Sequence, residues 1–294
     1  MKPPVFAYHL AEDVDDAVRL LGELGEDAKV IAGGQSLVPM MNMRLAAPSA
    51  LVDISRLPEL SDIEVDGGTI TVGAAVTAEQ LRTHGAAIAA CPLLRQALDL
   101  VAHGVIRNRG TAVGSLVHAD PAAELPAVFA LLGGQIELRS VNGDRTLTGS
   151  ELFVGALQSA VEEGELATSV SFPVLPERTG SAFHELARRH GDYALAGVAT
   201  TVTLDPDAKV ADARAAVIGV ADRPVVVELG EALRGQHHDA LEVAGAIDHL
   251  RESIDPSGDI HASGSYRRHL AGVLVGRALG DAAARAAGDE EAAA

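Results

Sequence analysis

The 294-residue sequence carries a large excess of acidic side chains and a single cysteine. Its formal charge of −18 disfavours nucleic acid and anionic membranes as partners, because both repel a net negative surface at long range. One cysteine excludes an intrachain disulfide, a thiolate zinc cluster and an iron–sulfur cluster assembled by this chain alone. A hydrophobic content of 48% indicates a globular protein, and the length predicts two or three compact units.

The amino-terminal segment MKPPVFAYHLAEDVDDA lacks the apolar stretch of a signal peptide. The longest uncharged run, VIAGGQSLVPMMNM, is too short to span a bilayer and is interrupted by Gly, Gln, Pro and Asn. We therefore expect a cytoplasmic protein without a membrane span.

The first predicted element is an amphipathic helix over residues 13–24, followed by a short buried strand, KVI. The glycine pair Gly33-Gly34 ends this strand, and Ser36 is the candidate N-cap of the next helical turn, LVPMMNMR. This order of helix, strand, glycine turn and helix predicts a small parallel βαβ-like unit over about residues 1–57.

Short strand-like segments separated by Gly, Asp and Asn turns follow, with a helical insertion around LLRQALDLVAHG. They predict a unit with a mixed or antiparallel sheet over residues 58–175. Beyond a proline-containing linker, residues 178–282 are expected to form a C-terminal domain with a small antiparallel sheet and helices. The fold class is therefore α+β, and the charged, low-complexity residues 283–294 are expected to form a flexible tail.

Two stretches carry the residue types that bind a dinucleotide. In KVIAGGQSL, two glycines let consecutive amide groups turn toward one point, and the positive end of the following helix adds to that field. An ordinary strand-to-helix turn would use the same glycines, so this stretch leaves both interpretations open. The chain contains neither a GxGxxG run nor the GxxxxGK[ST] pattern of a phosphate-binding loop.

The second stretch, NRGTAVGSLVHADPAAELP at residues 108–126, is much longer than an ordinary turn. It offers flexible backbone and hydroxyl donors, together with carboxylates that suit the hydroxyls of a ribose or a ribityl chain. The donors are at Gly110, Thr111, Gly114 and Ser115, and the carboxylates belong to Asp120 and Glu124.

In this order and spacing the chain resembles the FAD-binding medium subunit of the molybdenum hydroxylases. That family includes carbon monoxide dehydrogenase and the flavin domain of xanthine dehydrogenase. The resemblance spans nearly the whole chain and rests on AGGQSL, LVDISRLPEL, IRNRGT with GSLVHADPAAELP, GEL, RRHGDYALAGVA and YRRHLAGVLVGRAL. It implies an FAD-binding domain over residues 1–175 and a C-terminal flavoprotein domain over residues 178–282.

The resemblance also implies which residues hold FAD. The two stretches would supply Ala32, Gly33, Gly34, Gln35, Ser36, Leu37, Thr111, Gly114 and Ser115, mostly around the pyrophosphate. Asp120 and Glu124 would hold sugar or ribityl hydroxyls, and His118 would either bond to FAD or hold its loop in shape. Tyr193 and Leu166 would lie near the flavin ring, and His184 stands where some relatives carry a lysine near the flavin.

One position departs from the family pattern. Val113 stands where the family, which writes Thr-Ile-Gly-Gly, has its first glycine. If that position requires a positive φ, valine there costs roughly 1–2 kcal/mol, so the loop either tolerates the residue or binds FAD more weakly. The sequence HELARRH also comes close to the HExxH zinc motif, but Arg188 replaces the second histidine, and we expect no metal site there.

The resemblance implies a division of labour among subunits. A large molybdopterin-binding subunit would oxidise the substrate, and a small subunit with two [2Fe–2S] clusters would relay electrons to FAD, within a dimer of heterotrimers. FAD suits this place because it exchanges electrons singly or in pairs. We expect no nucleophile or general base in this chain, and quinone, NAD or oxygen as the acceptor. Three alternatives remain: a stand-alone FAD-dependent oxidase or dehydrogenase of a small molecule, a flavin-free interaction subunit, and a protein with incidental glycine loops.

Overall fold

A three-stranded parallel sheet opens the chain in the computed structural model, which describes residues 2–289. The strand order is β1-β3-β2, and β3 pairs in parallel with both neighbours. The elements of this first unit are β1 (Ala7–Leu10), α1 (Val14–Leu24), β2 (Ala28–Ile31), α2 (Leu37–Met43) and β3 (Ala50–Asp53). The predicted parallel βαβ-like unit is confirmed.

Helix α1 forms at its predicted position because the neighbouring residues satisfy both of its ends. Asp13 caps the amino terminus by accepting a hydrogen bond from the backbone N–H of Asp16 at 2.7 Å. Gly25 follows the helix with a φ of 71°, a conformation that costs glycine little. The buried side of the helix consists of Val14, Ala17, Val18 and Leu21.

A five-stranded antiparallel sheet with the order β4-β5-β10-β6-β7 forms the second unit. Its strands are β4 (Ile63–Asp66), β5 (Thr69–Gly73), β6 (Gln135–Ser140), β7 (Gly143–Thr148) and β10 (Leu166–Pro173), and β8 (Phe153–Gly155) pairs separately with β9 (Gln158–Ser159). Its helices are α3 (Ala78–Thr83), α4 (Gly85–Ala90), α5 (Pro92–Leu100), α6 (Gly104–Arg107), α7 (Ala112–His118), α8 (Glu124–Leu132) and α9 (Gly149–Leu152).

The third unit is a four-stranded antiparallel meander followed by helices. Its elements are β11 (Thr179–Ala187), β12 (Ala194–Leu204), β13 (Val210–Ile218), β14 (Val225–Glu228), α10 (Gly230–Leu233), α11 (Ala244–Glu252) and α12 (Gly264–Ala286). The sequence predicted this arrangement of a small antiparallel sheet with helices.

Two apolar cores meet at the sheet of the third unit. The core of the first two units extends onto one face of this sheet, where it includes Phe183, Ala199 and Ile218. The opposite face, with Ala182 and Val198, belongs to a second core that packs against α12. Successive strand residues therefore face different cores, since side chains alternate between the two faces of a sheet.

Helix α12 ends later than the sequence predicted. It continues to Ala286 with Ala283 buried, so the expected flexible tail over residues 283–294 begins too early. The last residues of that prediction, 290–294, lie outside the described residues. Within residues 2–289, no helix is both long and apolar enough to cross a membrane.

Candidate functional site

The first glycine turn packs directly against the second. A Cβ atom added at Gly33 would overlap with the backbone carbonyl of Arg109 and would lie 2.7 Å from the Cα atom of Gly110. Glycine is therefore required at position 33 by the close approach of another backbone rather than by its own dihedral angle. Position 34 requires glycine for its backbone conformation, because its φ of +69° is one that other residues rarely adopt.

The turn after β2 leaves a run of backbone donors unused. Within residues 2–289, no backbone or side-chain acceptor receives a hydrogen bond from the amides of residues 33–37. Ser36 is the N-cap residue of α2, as predicted, but its side chain makes no capping bond, so its hydroxyl group remains available. These residues are partly buried or exposed, so their free amides are accessible and suit a ligand rich in acceptors.

The second stretch begins as a strand-like bridge and continues as a helix. Thr111 bridges to Thr77, and the carbonyl of Gly110 accepts from the amide of Ala78 at 2.8 Å. The Thr111 hydroxyl then caps α7 by accepting from the amide of Gly114 at 3.1 Å. The second stretch is thus held in place by backbone bonds to residues 77–78 and by its own helix cap.

Val113 does not carry the strain that the family pattern suggested. It lies inside α7, is 2% exposed, and does not have a positive φ. A helical backbone accepts valine at little cost, and its side chain packs in the core of the first two units. The expected penalty for valine at this position is therefore wrong.

A cleft of about 850 Å³ lies between the two stretches. Ligand pockets commonly measure roughly 300–1,000 Å³, so this one is large enough for an extended ligand. The candidate residues from sequence that line it are Ala32, Gly33, Gly34, Gln35, Ser36, Leu37, Thr111, Gly114, Ser115, His118 and Leu166.

Charges of both signs border this cleft. Lys29 and Arg107 line it, and Glu165 lines it while bound to Arg145 at 2.6 Å. His118 lines the cleft, and its side chain makes no hydrogen bond to any residue of the described part of the chain. Lys29, which forms no ion pair within residues 2–289, and the free amides of the first turn favour an anionic group in this cleft.

Asp120 and Glu124 lie just beyond the residues that line the cleft. Asp120 uses one carboxylate oxygen to accept from the backbone amide of Ala122 at 2.9 Å, which shapes the turn before α8. Glu124 is the first residue of α8, and the next residue, Leu125, lines the cleft. Burial, and then the charge of Glu185, raise the pKa of Glu124 to about 8.

Tyr193 lies on the turn between β11 and β12 and borders a smaller cavity of about 240 Å³ beside Pro121 and Ala122. Burial, and then the charges of Asp120, Asp192 and Glu124, raise the pKa of Tyr193. Its side chain is 68% exposed. Tyr193 therefore lies near the two carboxylates predicted from the second stretch, at the surface rather than in the large cleft.

His184 faces away from this region. Its Nε2 lies 2.7 Å from an oxygen of Asp281 on α12, on the face of the sheet that packs in the second core. Its neighbour Glu185 points to the opposite face, toward the first two units, as the alternation along β11 requires. His184 does not line the cleft, and Glu185 lies on the same face of β11 as Phe183, toward the first two units.

Two charged residues that sequence reasoning missed support the site. Arg107 donates to the carbonyl of Val101 at 2.8 Å and to Glu79 at 3.2 Å, which holds the segment leading into the second stretch. Hydrogen bonds from Arg82, and also from Arg107, hold the pKa of Glu79 at about 2. Arg107 could have been found in the sequence from its place in IRNRGT, directly before the glycine turn. No sequence pattern pointed to Glu79.

The cleft-lining residues beyond position 150 were also largely missed. The segment from β8 to the start of β10 closes one side of the cleft, and Leu166 was the residue predicted from it. The missed residues of this segment that line the cleft are Val154, Leu157, Gln158, Ser159, Val161, Glu162, Glu163, Gly164 and Glu165. Across residues 2–289, no group of three or more His, Cys, Asp or Glu side chains could hold a metal ion.

Two family descriptions match almost the whole chain. Residues 4–175 match the FAD-binding domain in molybdopterin dehydrogenase, and residues 181–282 match the CO dehydrogenase flavoprotein C-terminal domain. The 6-hydroxypseudooxynicotine dehydrogenase complex subunit alpha of Paenarthrobacter nicotinovorans is 42% identical over 97% of each chain. The carbon monoxide dehydrogenase medium chain of Hydrogenophaga pseudoflava is 36% identical over 98% of this chain and 100% of its own length.

Solved structures show the same relationship. A chain of carbon monoxide dehydrogenase from Hydrogenophaga pseudoflava superposes with a TM-score of 0.91 at 36% identity, covering 97% of this chain and 99% of that chain. A chain of quinoline 2-oxidoreductase from Pseudomonas putida 86 also gives 0.91, at 33% identity, covering 99% and 100%. The chain therefore belongs to the family of FAD-binding medium subunits of the molybdenum hydroxylases, and it is an FAD-binding oxidoreductase subunit.

Proposed function

We propose that this chain receives electrons from [2Fe–2S] clusters of a small partner subunit onto FAD and passes them to an external acceptor. The contact between Gly33 and the Arg109–Gly110 backbone carries the proposal, because it joins both glycine stretches in one cleft. FAD supplies the conversion between one-electron and two-electron transfer when it is bound. The chain's own residues bind it, orient it and set its surroundings.

The residues present fit such a cofactor. The unused amides of residues 33–37 and the Ser36 hydroxyl offer donors for a pyrophosphate, and Lys29 also lines the cleft. Thr111, Gly114 and Ser115 would complete this cradle from the other side. Asp120 and Glu124 would accept from hydroxyl groups farther along, Leu166 would pack near the ring, and Tyr193 would cover it at the surface.

We propose that the substrate is oxidised on a large molybdopterin-binding subunit, in a dimer of heterotrimers. Related chains are named as subunits or medium chains of carbon monoxide dehydrogenase, caffeine dehydrogenase, glyceraldehyde dehydrogenase and nicotine 6-hydroxylase. One structural relative is described as a carbon monoxide dehydrogenase that lacks the Mo-pyranopterin moiety of the molybdenum cofactor. Such diverse substrates on similar medium chains agree with a substrate site on another subunit.

Reduction of the flavin by substrate in the complex tests the proposal. In the purified complex, anaerobic addition of the substrate should bleach the flavin absorbance. The FAD-loaded chain alone should not respond to the same substrate, and adding back the cluster-containing and molybdopterin-containing partners should restore bleaching. Full turnover by the isolated chain would contradict the proposal and favour a stand-alone flavin oxidase or dehydrogenase.

A further inference from the structure

A basic surface lies beside the cleft of a chain that is acidic as a whole. It is formed by residues 103–109, on and around α6, and by residues 188–193, the turn between β11 and β12. These two segments carry four arginines and two histidines against one acidic residue, Asp192. Asp120 and Glu124, which also lie near this turn, are partly buried. The local charge is thus opposite in sign to the formal charge of the chain, which is −18.

The two segments of the basic surface belong to different units of the chain and touch each other directly. Gly191 has a φ of +77°, and a Cβ atom added to it would lie 2.6 Å from the ring of His103 and 2.9 Å from the carbonyl oxygen of Ala102. The ring centroids of His103 and His190 are 5.7 Å apart. The two segments therefore form one continuous surface.

Two arginines of the basic surface are available to a partner. Arg109 and Arg189 are exposed, and in the described part of the chain the side chain of neither forms an ion pair or a hydrogen bond. Arg188, in contrast, is bound to Asp192 at 3.0 Å. An unpaired guanidinium group suits the carboxylates of another protein, because it can donate two parallel hydrogen bonds to one carboxylate.

The basic surface and the cleft are separated by a single segment of chain. Ile106, Arg107 and Gly110 line the cleft, whereas Val105 in the same short segment is 73% exposed. Tyr193, on the turn, is 68% exposed and adds a second apolar contact. A protein bound to this surface would therefore lie close to a cofactor in the cleft. This position favours an electron donor, because electron transfer slows steeply with distance.

The charge of this surface argues against a second copy of the chain as its partner. A twofold interface brings the same residues of both copies together, so Arg109 and Arg189 would face arginines of the other copy. Like charges placed opposite each other weaken an interface. The partner should therefore present carboxylates, and it is a different chain.

We propose that the basic surface docks the subunit that carries the [2Fe–2S] clusters, through a face of that subunit rich in aspartate and glutamate. This inference rests on the proposed function, in which electrons reach FAD from those clusters. Arg109 and Arg189 make the ionic contacts, and Val105 and Tyr193 make the apolar ones. Complementary charge steers the partner toward this side of the chain and away from its acidic remainder.

The rate of association between the full chain and its separately purified cluster-bearing partner tests the inference. The double variant Arg109→Glu/Arg189→Glu should associate at least about tenfold more slowly at low ionic strength, and added salt should reduce the difference. The matched control is Arg178→Glu, which makes the same change at an exposed residue next to β11, at the end of that strand opposite to the turn. It should associate at nearly the wild-type rate. Equal rates in all three proteins, or faster association of the double variant, overturn the proposal.

Sedimentation and thermal unfolding of the chain alone accompany this measurement. Wild type and the double variant should give the same species, and a change in oligomeric state would show that the surface joins copies of this chain, which overturns the proposal. Equal unfolding temperatures show that the double variant folds. If it is less stable, the single variant Arg189→Glu, on the exposed turn, is compared with Arg178→Glu in the same way.

Flavin reduction in the assembled complex separates this proposal from the proposed function. At protein concentrations high enough for assembly, substrate should still bleach the flavin of the double variant, because the substitutions act on docking. A wild-type complex whose flavin does not respond to substrate overturns the proposed function, while the association rates still decide whether the basic surface is the docking site.

Discussion

Gly33 is the residue where the two halves of the cleft touch, and its substitution tests that contact. In Gly33→Ala the added methyl group overlaps with the Arg109 carbonyl, so the two stretches must move apart. We expect a loss of about 1–3 kcal/mol in the free energy of unfolding and at least a tenfold weaker affinity for FAD. Thermal unfolding and FAD fluorescence quenching measure these effects.

The matched control for this substitution is Gly85→Ala. Gly85 begins α4, has no positive φ, and a methyl group there would meet no atom within 4 Å. Alanine at this site should leave FAD affinity unchanged and stability the same or slightly higher. If both variants retained wild-type affinity, the contact between the two stretches would have no role in FAD binding.

The burial of Glu124 and Glu185 predicts an unusual dependence of stability on pH. Burial raises both pKa values above the ordinary 4.5, to about 8 and about 7, so the folded chain binds more protons than the unfolded chain in between. Stability contributed by these groups is therefore present at low pH and is lost as the pH rises from about 4.5 to about 8. In the FAD-free chain, Glu185→Gln should stabilise the protein by about 2–3 kcal/mol at pH 8 and by little at pH 5.

Denaturant unfolding at the two pH values measures this difference. Glu228→Gln should change stability at neither pH, because Glu228 is exposed and makes no ion pair within residues 2–289. Equal stabilisation by Glu185→Gln at pH 5 and pH 8 would show that the substitution improves packing rather than removing a charge.

At single positions the sequence predicted residue types better than side-chain directions. The glycines at 33 and 34 were predicted correctly as turn residues, since a glycine pair directly after an apolar strand ends that strand in a turn. His184 and Glu185 are adjacent on β11, and which of them faces the first two units depends on the register of that strand against the rest of the protein. A shift of the register by one residue exchanges the two faces of the strand, and the local sequence does not determine this register.

At the scale of elements, the segment from α5 to α7 is held by ion pairs rather than by a long helix. Helix α6 has only four residues. The Arg107 side chain donates a hydrogen bond to the carbonyl of Val101, in the chain before this helix, and forms an ion pair with Glu79 of α3. Such short elements have little intrinsic stability, so their position depends on these contacts. This is why the sequence predicted one helical insertion here instead of several short helices.

Arg107→Met tests the role of this ion pair in shaping the cleft. The variant leaves the Val101 carbonyl without its donor and removes one of the two arginines that bind Glu79, so we expect the second stretch to shift and FAD affinity to fall about five- to thirtyfold. Arg95→Met is the control, since Arg95 binds Asp99 at the exposed surface of α5. FAD binding measured by fluorescence should separate the two variants, and equal affinities would contradict a positioning role for Arg107.

For the whole molecule, the alternation of apolar residues and the spacing of glycines predicted the α+β class and the order of sheets. The sequence could not predict how the units pack, because the first core is shared between the antiparallel sheet of the second unit and one face of the C-terminal sheet. The burial of Glu124 and Glu185 is a product of that packing, since the two residues belong to different units.

The same long-range packing brings α12 onto the meander. Arg267 is 8% exposed and donates to the carbonyls of Leu195 at 2.6 Å and Gly219 at 3.0 Å, at the ends of β12 and β13. These contacts secure the sheet that carries Glu185 and the turn that carries Tyr193. The C-terminal unit thus gives the cleft a rigid neighbour.

The amount of FAD in the purified full chain tests the central claim most directly. The chain should carry FAD in an equimolar amount, and denaturation should release all of it into solution, where absorbance and mass spectrometry identify it. A colourless chain that takes up no FAD on reconstitution would contradict the claim that the two glycine stretches form one FAD site.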